Sequence, residues 1–121
     1  MANEDRRGNT LRTTPVYRKE LSTITIASGG TTEVTIDESL NGIIGTIVAT
    51  VNNTTNSVTA TLSIRDEDSA VLYSKAAIAE NDITVLSGVD VLTAGALTVG
   101  VTPSGDPGAS TMTVDLVFYV V

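Results

Sequence analysis

Apolar residues recur at every second position in one segment of this chain after another, and this alternation limits its possible folds more than any other feature. The clearest run covers residues 57–65, where Val58, Ala60, Leu62 and Ile64 alternate with polar or small side chains. Such a period of two places the apolar side chains on one face of a β-strand. Shorter or less regular runs occupy residues 22–27, 32–36, 43–51, 71–73, 83–86, 97–101 and 111–121. The pattern predicts seven to eight strands.

The composition points to the same class of structure. The chain of 121 residues contains 20 Thr, 15 Val and 9 Ile, whose β-branched side chains favour strands. Ten Gly and three Pro provide turns, and the only helical turn expected is a short one at residues 76–80. We therefore expect a single all-β domain, an antiparallel β-sandwich or small barrel of the jelly-roll or immunoglobulin-like type.

Charge divides the chain into two parts of opposite sign. Residues 1–19 carry a net charge of +3, whereas residues 20–121 carry −10. The first part has neither helical nor strand periodicity, which predicts an extended basic arm at residues 1–20 ahead of a β-sandwich body at 21–121. A terminal segment with no binding role is the alternative interpretation.

The arm is the first candidate binding element, because its positive charge complements the acidic body of a neighbouring copy or another acidic protein surface. The candidate partner-binding residues are Arg6, Arg7, Arg12, Arg18 and Lys19.

Missing residue types argue against catalysis. The chain has no Cys and no His, so it offers no thiolate or imidazole metal ligand, no Cys nucleophile and no Ser-His-Asp triad. The densest acidic cluster, Asp66-Glu67-Asp68, does not match the spacing of an EF-hand loop and is typical of a hairpin turn. Phosphate-binding glycine motifs are also missing. We expect no enzyme, no cofactor and no metal site.

Partners that require a basic or strongly apolar surface are not expected either. The net charge of −7 argues against nucleic acid, whose partners usually carry a basic footprint. The longest apolar run, residues 116–121, is far shorter than the ~20 residues that span a bilayer. The first residues lack the apolar core of a secretory signal. We expect synthesis in a cytoplasm and no membrane partner.

The last predicted strand is apolar on both faces near its end. One face carries Met112, Val114, Leu116, Phe118 and Val120. Two interpretations explain the other face: a central strand covered by two layers, or a subunit interface. The candidate interface residues are Val117, Tyr119 and Val121.

Two segments resemble those of a known group of proteins. They are the predicted hairpin TLSIRDEDSAVLY at residues 61–73 and the turn-rich LTVGVTPSGDPG at residues 97–108. Together with the charged arm and the Thr/Val/Ile-rich body, they resemble small structural proteins of tailed bacteriophages, most of all capsid cement (decoration) proteins.

The resemblance implies a non-enzymatic virion protein on the outer surface of the phage head. Such a protein, commonly a homotrimer, binds the major capsid protein and bridges and stabilises neighbouring capsid subunits. The alternative is a phage tail, fibre or baseplate module that binds another tail protein or a host glycan. The absence of Trp weighs against glycan binding.

Overall fold

Seven antiparallel strands make up the part of the chain that the computed structural model describes, residues 17–121. They are β1 (Tyr17–Glu20), β2 (Ile24–Ile26), β3 (Val34–Val51), β4 (Ala60–Asp66), β5 (Val71–Ile78), β6 (Asp82–Pro103) and β7 (Met112–Val120). The predicted all-β, antiparallel fold class is confirmed. No helix in this part of the chain is long and apolar enough to cross a membrane.

Strands β3 and β6 are much longer than the sequence pattern predicted. The separate strands expected at 32–36 and 43–51 belong to β3, and those expected at 83–86 and 97–101 belong to β6. The two long strands pair along their whole length, from Val34 opposite Val101 to Val51 opposite Asp82. Pairing over this length keeps the polar stretches between the apolar runs extended.

The predicted helical turn at residues 76–80 is wrong. Strand β5 continues to Ile78, which lies opposite Ala60 of β4. The buried Ile78 joins the hydrophobic core. The strand is favoured because pairing with β4 satisfies the backbone groups that a single helical turn would leave unpaired.

The sheet folds on itself because the long strands pair with different neighbours in their two halves. The order is β1-β7-β3-β6-β4-β5, and β2 also pairs with β7. Strand β7 pairs with the second half of β3, from Ile44 onwards, whereas β4 pairs with the last part of β6, from Leu97 to Pro103. The buried faces of both halves contribute to one hydrophobic core. The result is an antiparallel sandwich made from a single continuous sheet.

The core consists almost entirely of aliphatic side chains and follows the predicted alternation. The four apolar residues predicted to point inward from the 57–65 run are buried, as are the five predicted from β7. Phe118 is the largest fully buried side chain. Burial of one aliphatic side chain stabilises a fold by roughly 1.5–3 kcal/mol.

A bulge at Gly45 changes which face of β3 points inward. The register of β3 shifts between Ile44 and Thr46 against both of its neighbours. Buried positions are therefore even-numbered up to Ile44 and odd-numbered from Ile47. Unbroken alternation through the predicted strand at residues 43–51 would place Ile43 on the same face as Ile47. That assignment is wrong, because the extra residue of the bulge inverts the alternation.

Strand β1 includes the last four residues of the predicted arm. Tyr17 to Glu20 pair with β7, from Tyr17 opposite Val120 to Glu20 opposite Val117. Part of the predicted 1–20 segment thus belongs to the sheet. The rest of that segment, residues 1–16, lies outside the described residues.

Candidate interaction surface

The predicted basic residues fall into two groups. Arg6, Arg7 and Arg12 lie outside the described residues. Arg18 and Lys19 lie on β1, opposite Tyr119 and Phe118 of β7. Consecutive residues of a strand point to opposite faces, so Arg18 lies on the outer face of the sheet and Lys19 on the inner face.

Both of these basic side chains contact groups of their own chain. Arg18 Nη2 donates to Glu20 Oε2 at 3.2 Å. Hydrogen bonds with Tyr119 and then with Glu20 raise the pKa of the Arg18 guanidinium. Lys19 Nζ lies 3.5 Å from Glu38 Oε1 on the half of β3 that folds over β1. Lys19 therefore helps to hold the two halves of the sandwich together.

The three predicted interface residues lie together on the outer face of β7. Tyr119 and Val121 are exposed, and Val117 is half-buried. No second layer from residues 17–121 covers this face. The interpretation of β7 as a strand buried on both sides is therefore wrong for the described part of the chain.

The cross-strand partners of these residues extend the apolar face from β7 to β3 and β6. Val117 lies opposite Val48 of β3, which in turn lies opposite Val85 of β6. Val121 exchanges backbone hydrogen bonds with Ile43, which lies opposite Leu92. Cross-strand partners share a face, so both rows lie on the outside of the sheet. We call this surface the outer strip: Ile43, Val48, Ile83, Val85, Leu92, Val117, Tyr119 and Val121.

Several outer-strip residues were missed in the sequence. Ile83, Val85 and Leu92 are exposed to 63%, 61% and 72%, although all three are large and apolar. The alternation around residues 83–86 was visible, but alternation alone does not tell which apolar set faces the core. The useful signal was Val85 next to Leu86, since two apolar neighbours in one strand cannot both point inward.

The outer strip ends at a sheet edge. Among the described residues, β6 pairs on one side with β3, and its other side is paired with β4 only from Leu97. Residues 82–96 of β6 therefore present backbone donors and acceptors along one edge. An edge next to an exposed apolar face is a typical place for another chain to bind.

A groove opens where this edge meets the β4–β5 hairpin. Its volume is about 250 Å³, and its lining combines aliphatic side chains with three carboxylates. We call it the acidic groove: Asp66, Glu67, Asp68, Leu72, Leu92, Ala94, Ala96 and Leu97.

Asp66 has a structural task at the rim of the groove. Its Oδ1 accepts hydrogen bonds from the backbone N–H groups of Asp68 and Ala70, both at 2.9 Å, and these bonds fix the hairpin turn. Within residues 17–121, no group of three or more potential ligands is arranged to hold a metal ion. The acidic cluster therefore acts as a turn with an exposed negative rim.

Comparisons with known proteins give only distant similarities. No protein-family model and no curated protein sequence matches the chain. The similar solved structures include the Yersinia pseudotuberculosis-derived mitogen, at 12% identity and a TM-score of 0.41, with 88% of this chain and 86% of that chain covered. They also include carbohydrate-binding module CBM36 in complex with calcium and xylotriose, at 14% identity and a TM-score of 0.43, with coverage of 85% and 87%.

A third similar structure is that of infectious bursal disease virus, Gx strain. It matches at 10% identity and a TM-score of 0.39, and the match covers 88% of this chain but 32% of the viral one. Similarities this weak carry no function over to the present protein. The functional argument therefore depends on its own surfaces.

Proposed function

We propose that this protein is a non-enzymatic capsid cement protein that binds the outer surface of a tailed-phage head and bridges neighbouring major capsid protein subunits. The observation that carries the proposal is the outer strip, an apolar surface that extends across β7, β3 and β6. Contiguous exposed apolar surface on a small domain usually marks a protein–protein contact.

The outer strip suits a contact between copies of the protein. It includes the predicted interface residues Val117, Tyr119 and Val121, and it lies on paired strands that fix the position of each side chain. We assign this surface to the subunit contacts of a homotrimer. Its aromatic and aliphatic side chains lose little conformational entropy on burial in comparison with long polar ones.

The basic residues of the N-terminal segment suit a contact with the shell. Arg6, Arg7 and Arg12 carry positive charge ahead of a strongly acidic body. Arginine forms bidentate hydrogen bonds with carboxylates, so an acidic patch on the major capsid protein is the partner expected. Many copies on one shell convert modest individual contacts into strong overall attachment.

Shell binding is the decisive experiment. The purified full-length chain is mixed with expanded heads assembled from the major capsid protein encoded in the same genome, and bound copies are counted after sedimentation. A chain that lacks residues 1–16 keeps β1 and should bind at most one-tenth as well. The substitution set R6Q/R7Q/R12Q tests the charges without shortening the chain.

A matched pair of substitutions tests the outer strip in the same assay. Val85→Asp lies in the strip, whereas Val71→Asp lies on β5 outside it, and the two side chains are similarly exposed, 61% and 58%. V85D should reduce both self-association and shell occupancy, and V71D should reduce neither. Failure of the intact chain to bind heads, combined with binding to purified tails, would replace the proposal with the tail-module alternative.

A further inference from the structure

Strand β3 contains Asn41 followed directly by Gly42, and no other asparagine of the chain precedes a glycine. This dipeptide is prone to spontaneous deamidation, because a glycine nitrogen approaches the asparagine side chain without obstruction by a Cβ atom. The nitrogen of Gly42 bonds to Asn41 Cγ, and Nδ2 leaves as ammonia with the proton of that nitrogen. Water then opens the cyclic imide to aspartate or to isoaspartate, in which the main chain runs through the side-chain carbons.

The fold requires both residues of this labile pair. Gly42 has a φ angle of +139°, and a Cβ atom there would lie 2.7 Å from Val120 Cγ1. Asn41 Oδ1 accepts a hydrogen bond from the backbone N–H of Gly95 at 2.9 Å. Gly95 has a positive φ of +91°, so the Asn41 side chain supplies an acceptor where β6 departs from regular strand geometry.

The contacts around the pair also hold it in a conformation that cannot react. Ring closure requires rotation about the Cα–C bond of Asn41, away from the extended conformation of a strand. On the β6 side, the Gly42 carbonyl accepts a hydrogen bond from Thr93 Oγ1 at 3.0 Å, and the Thr93 side chain is buried. On the β7 side, Ile43 exchanges two backbone hydrogen bonds with Val121. The rotation would therefore disturb β3 on both of its sides.

We infer that Asn41–Gly42 is a deamidation site that the native sheet keeps closed and that opens only when β3 separates from its neighbours. Asn41 is exposed to water, but exposure alone does not permit the rotation that ring closure needs. The reaction rate then follows the population of the locally or globally unfolded chain. This inference concerns the chain itself and does not depend on the proposed capsid role.

The two products differ in whether the modified chain folds again. Aspartate at position 41 keeps an oxygen that accepts the hydrogen bond from Gly95. Isoaspartate adds one carbon to the main chain of β3 directly before Gly42, where the backbone packs against Val120 and Val121. The added carbon shifts the later residues of β3 relative to their cross-strand partners. Opening of β3 thus leads to an irreversible loss of chains from the folded population.

A second Asn–Gly pair in the same chain provides a matched control. Ser87→Asn places an asparagine before Gly88, where residues 88–90 have no partner in β3 and the space around a Cβ atom is open. The substitution gives the tetrapeptide Leu-Asn-Gly-Val, which closely matches the natural Leu-Asn-Gly-Ile at residues 40–43. The two sites therefore share their intrinsic reactivity and differ in their structural surroundings.

Full-length S87N protein is incubated at mildly alkaline pH, and deamidation at positions 41 and 87 is measured by peptide mass spectrometry. In the folded protein, position 87 should react about tenfold faster than position 41 or more, which corresponds to a local opening free energy of at least ~1.4 kcal/mol. The unsubstituted chain, treated in parallel, shows whether the substitution alters position 41. Equal rates at the two positions of the folded protein would overturn the inference.

Unfolding should remove the protection. In guanidinium chloride the two positions should react at nearly the same rate, and a difference that persists there would contradict a structural cause. The unsubstituted chain, deamidated in denaturant and then refolded, tests the products. Size-exclusion chromatography should retain aspartate at position 41 in the native fraction and exclude isoaspartate from it. A native fraction rich in isoaspartate would overturn the proposed loss of folded chains.

Discussion

The Glu33 side chain lies across the backbone of Gly100, where it leaves no room for a Cβ atom. From this position it reaches over β6 to form the ion pair with Arg65 of β4. The contact ties the segment before β3 to β4, its second neighbour in the sheet. The missing side chain at Gly100 is what allows the carboxylate to cross.

Gly100→Ala should therefore destabilise the protein by displacing Glu33. We expect a loss of at most about 1 kcal/mol in the free energy of unfolding, because the new methyl group displaces the flexible end of the Glu33 side chain and breaks a partly exposed ion pair. Urea denaturation measures the effect. In the E33A background the same substitution should cost less, since nothing remains to be displaced. Equal costs in both backgrounds would contradict this account.

Neighbouring aromatic residues of β7 should respond very differently to truncation. Phe118 is 1% exposed and central to the core, whereas Tyr119 is 36% exposed on the outer face. Phe118→Ala should cost about 3–5 kcal/mol, which is enough to unfold a marginal domain. Tyr119→Ala should change stability little but reduce self-association. Thermal denaturation and light scattering on both variants distinguish the two roles.

Gly42 is expected to tolerate no side chain. Its φ angle is +139°, and a Cβ atom would lie 2.7 Å from Val120 Cγ1 and 2.9 Å from the Val121 carbonyl oxygen. Gly42→Ala should cost more than 2 kcal/mol through strain and overpacking. Gly95→Ala is the matched control, because its φ is also positive but the space around it is open. A similar loss of stability for both variants would show that the positive φ angle, and not the close contacts at Gly42, causes the loss.

Asp106 holds two loops together at one end of the sandwich. Its Oδ1 accepts hydrogen bonds from the backbone N–H groups of Gly29, at 2.9 Å, and of Gly108, at 2.8 Å. Asp106→Ala should cost about 1–3 kcal/mol, because bonds to a charged acceptor are stronger than average. Asp37→Ala, on the exposed side of β3, serves as the control. Hydrogen exchange at Gly29 and Gly108 should accelerate in the D106A variant alone.

Local sequence patterns determined the fold class and most of the core. Strict alternation in residues 57–65 and in β7 assigns each side chain to a face, because consecutive residues of a strand point in opposite directions. Along the rest of the chain, the abundance of β-branched residues favours strands over helices. These signals need only neighbours in sequence, and for that reason they could be interpreted without coordinates.

Tertiary pairing decided what alternation could not. The union of four short runs into β3 and β6 depends on hydrogen bonds between strands that are distant in sequence. The inversion at Gly45 depends on an extra residue that only register reveals. The same pairing places Val48, Val85 and Val117 side by side on the outer face, although they come from three separate strands. The sequence contained each apolar residue of the outer strip, but only the folded sheet brought them onto one surface.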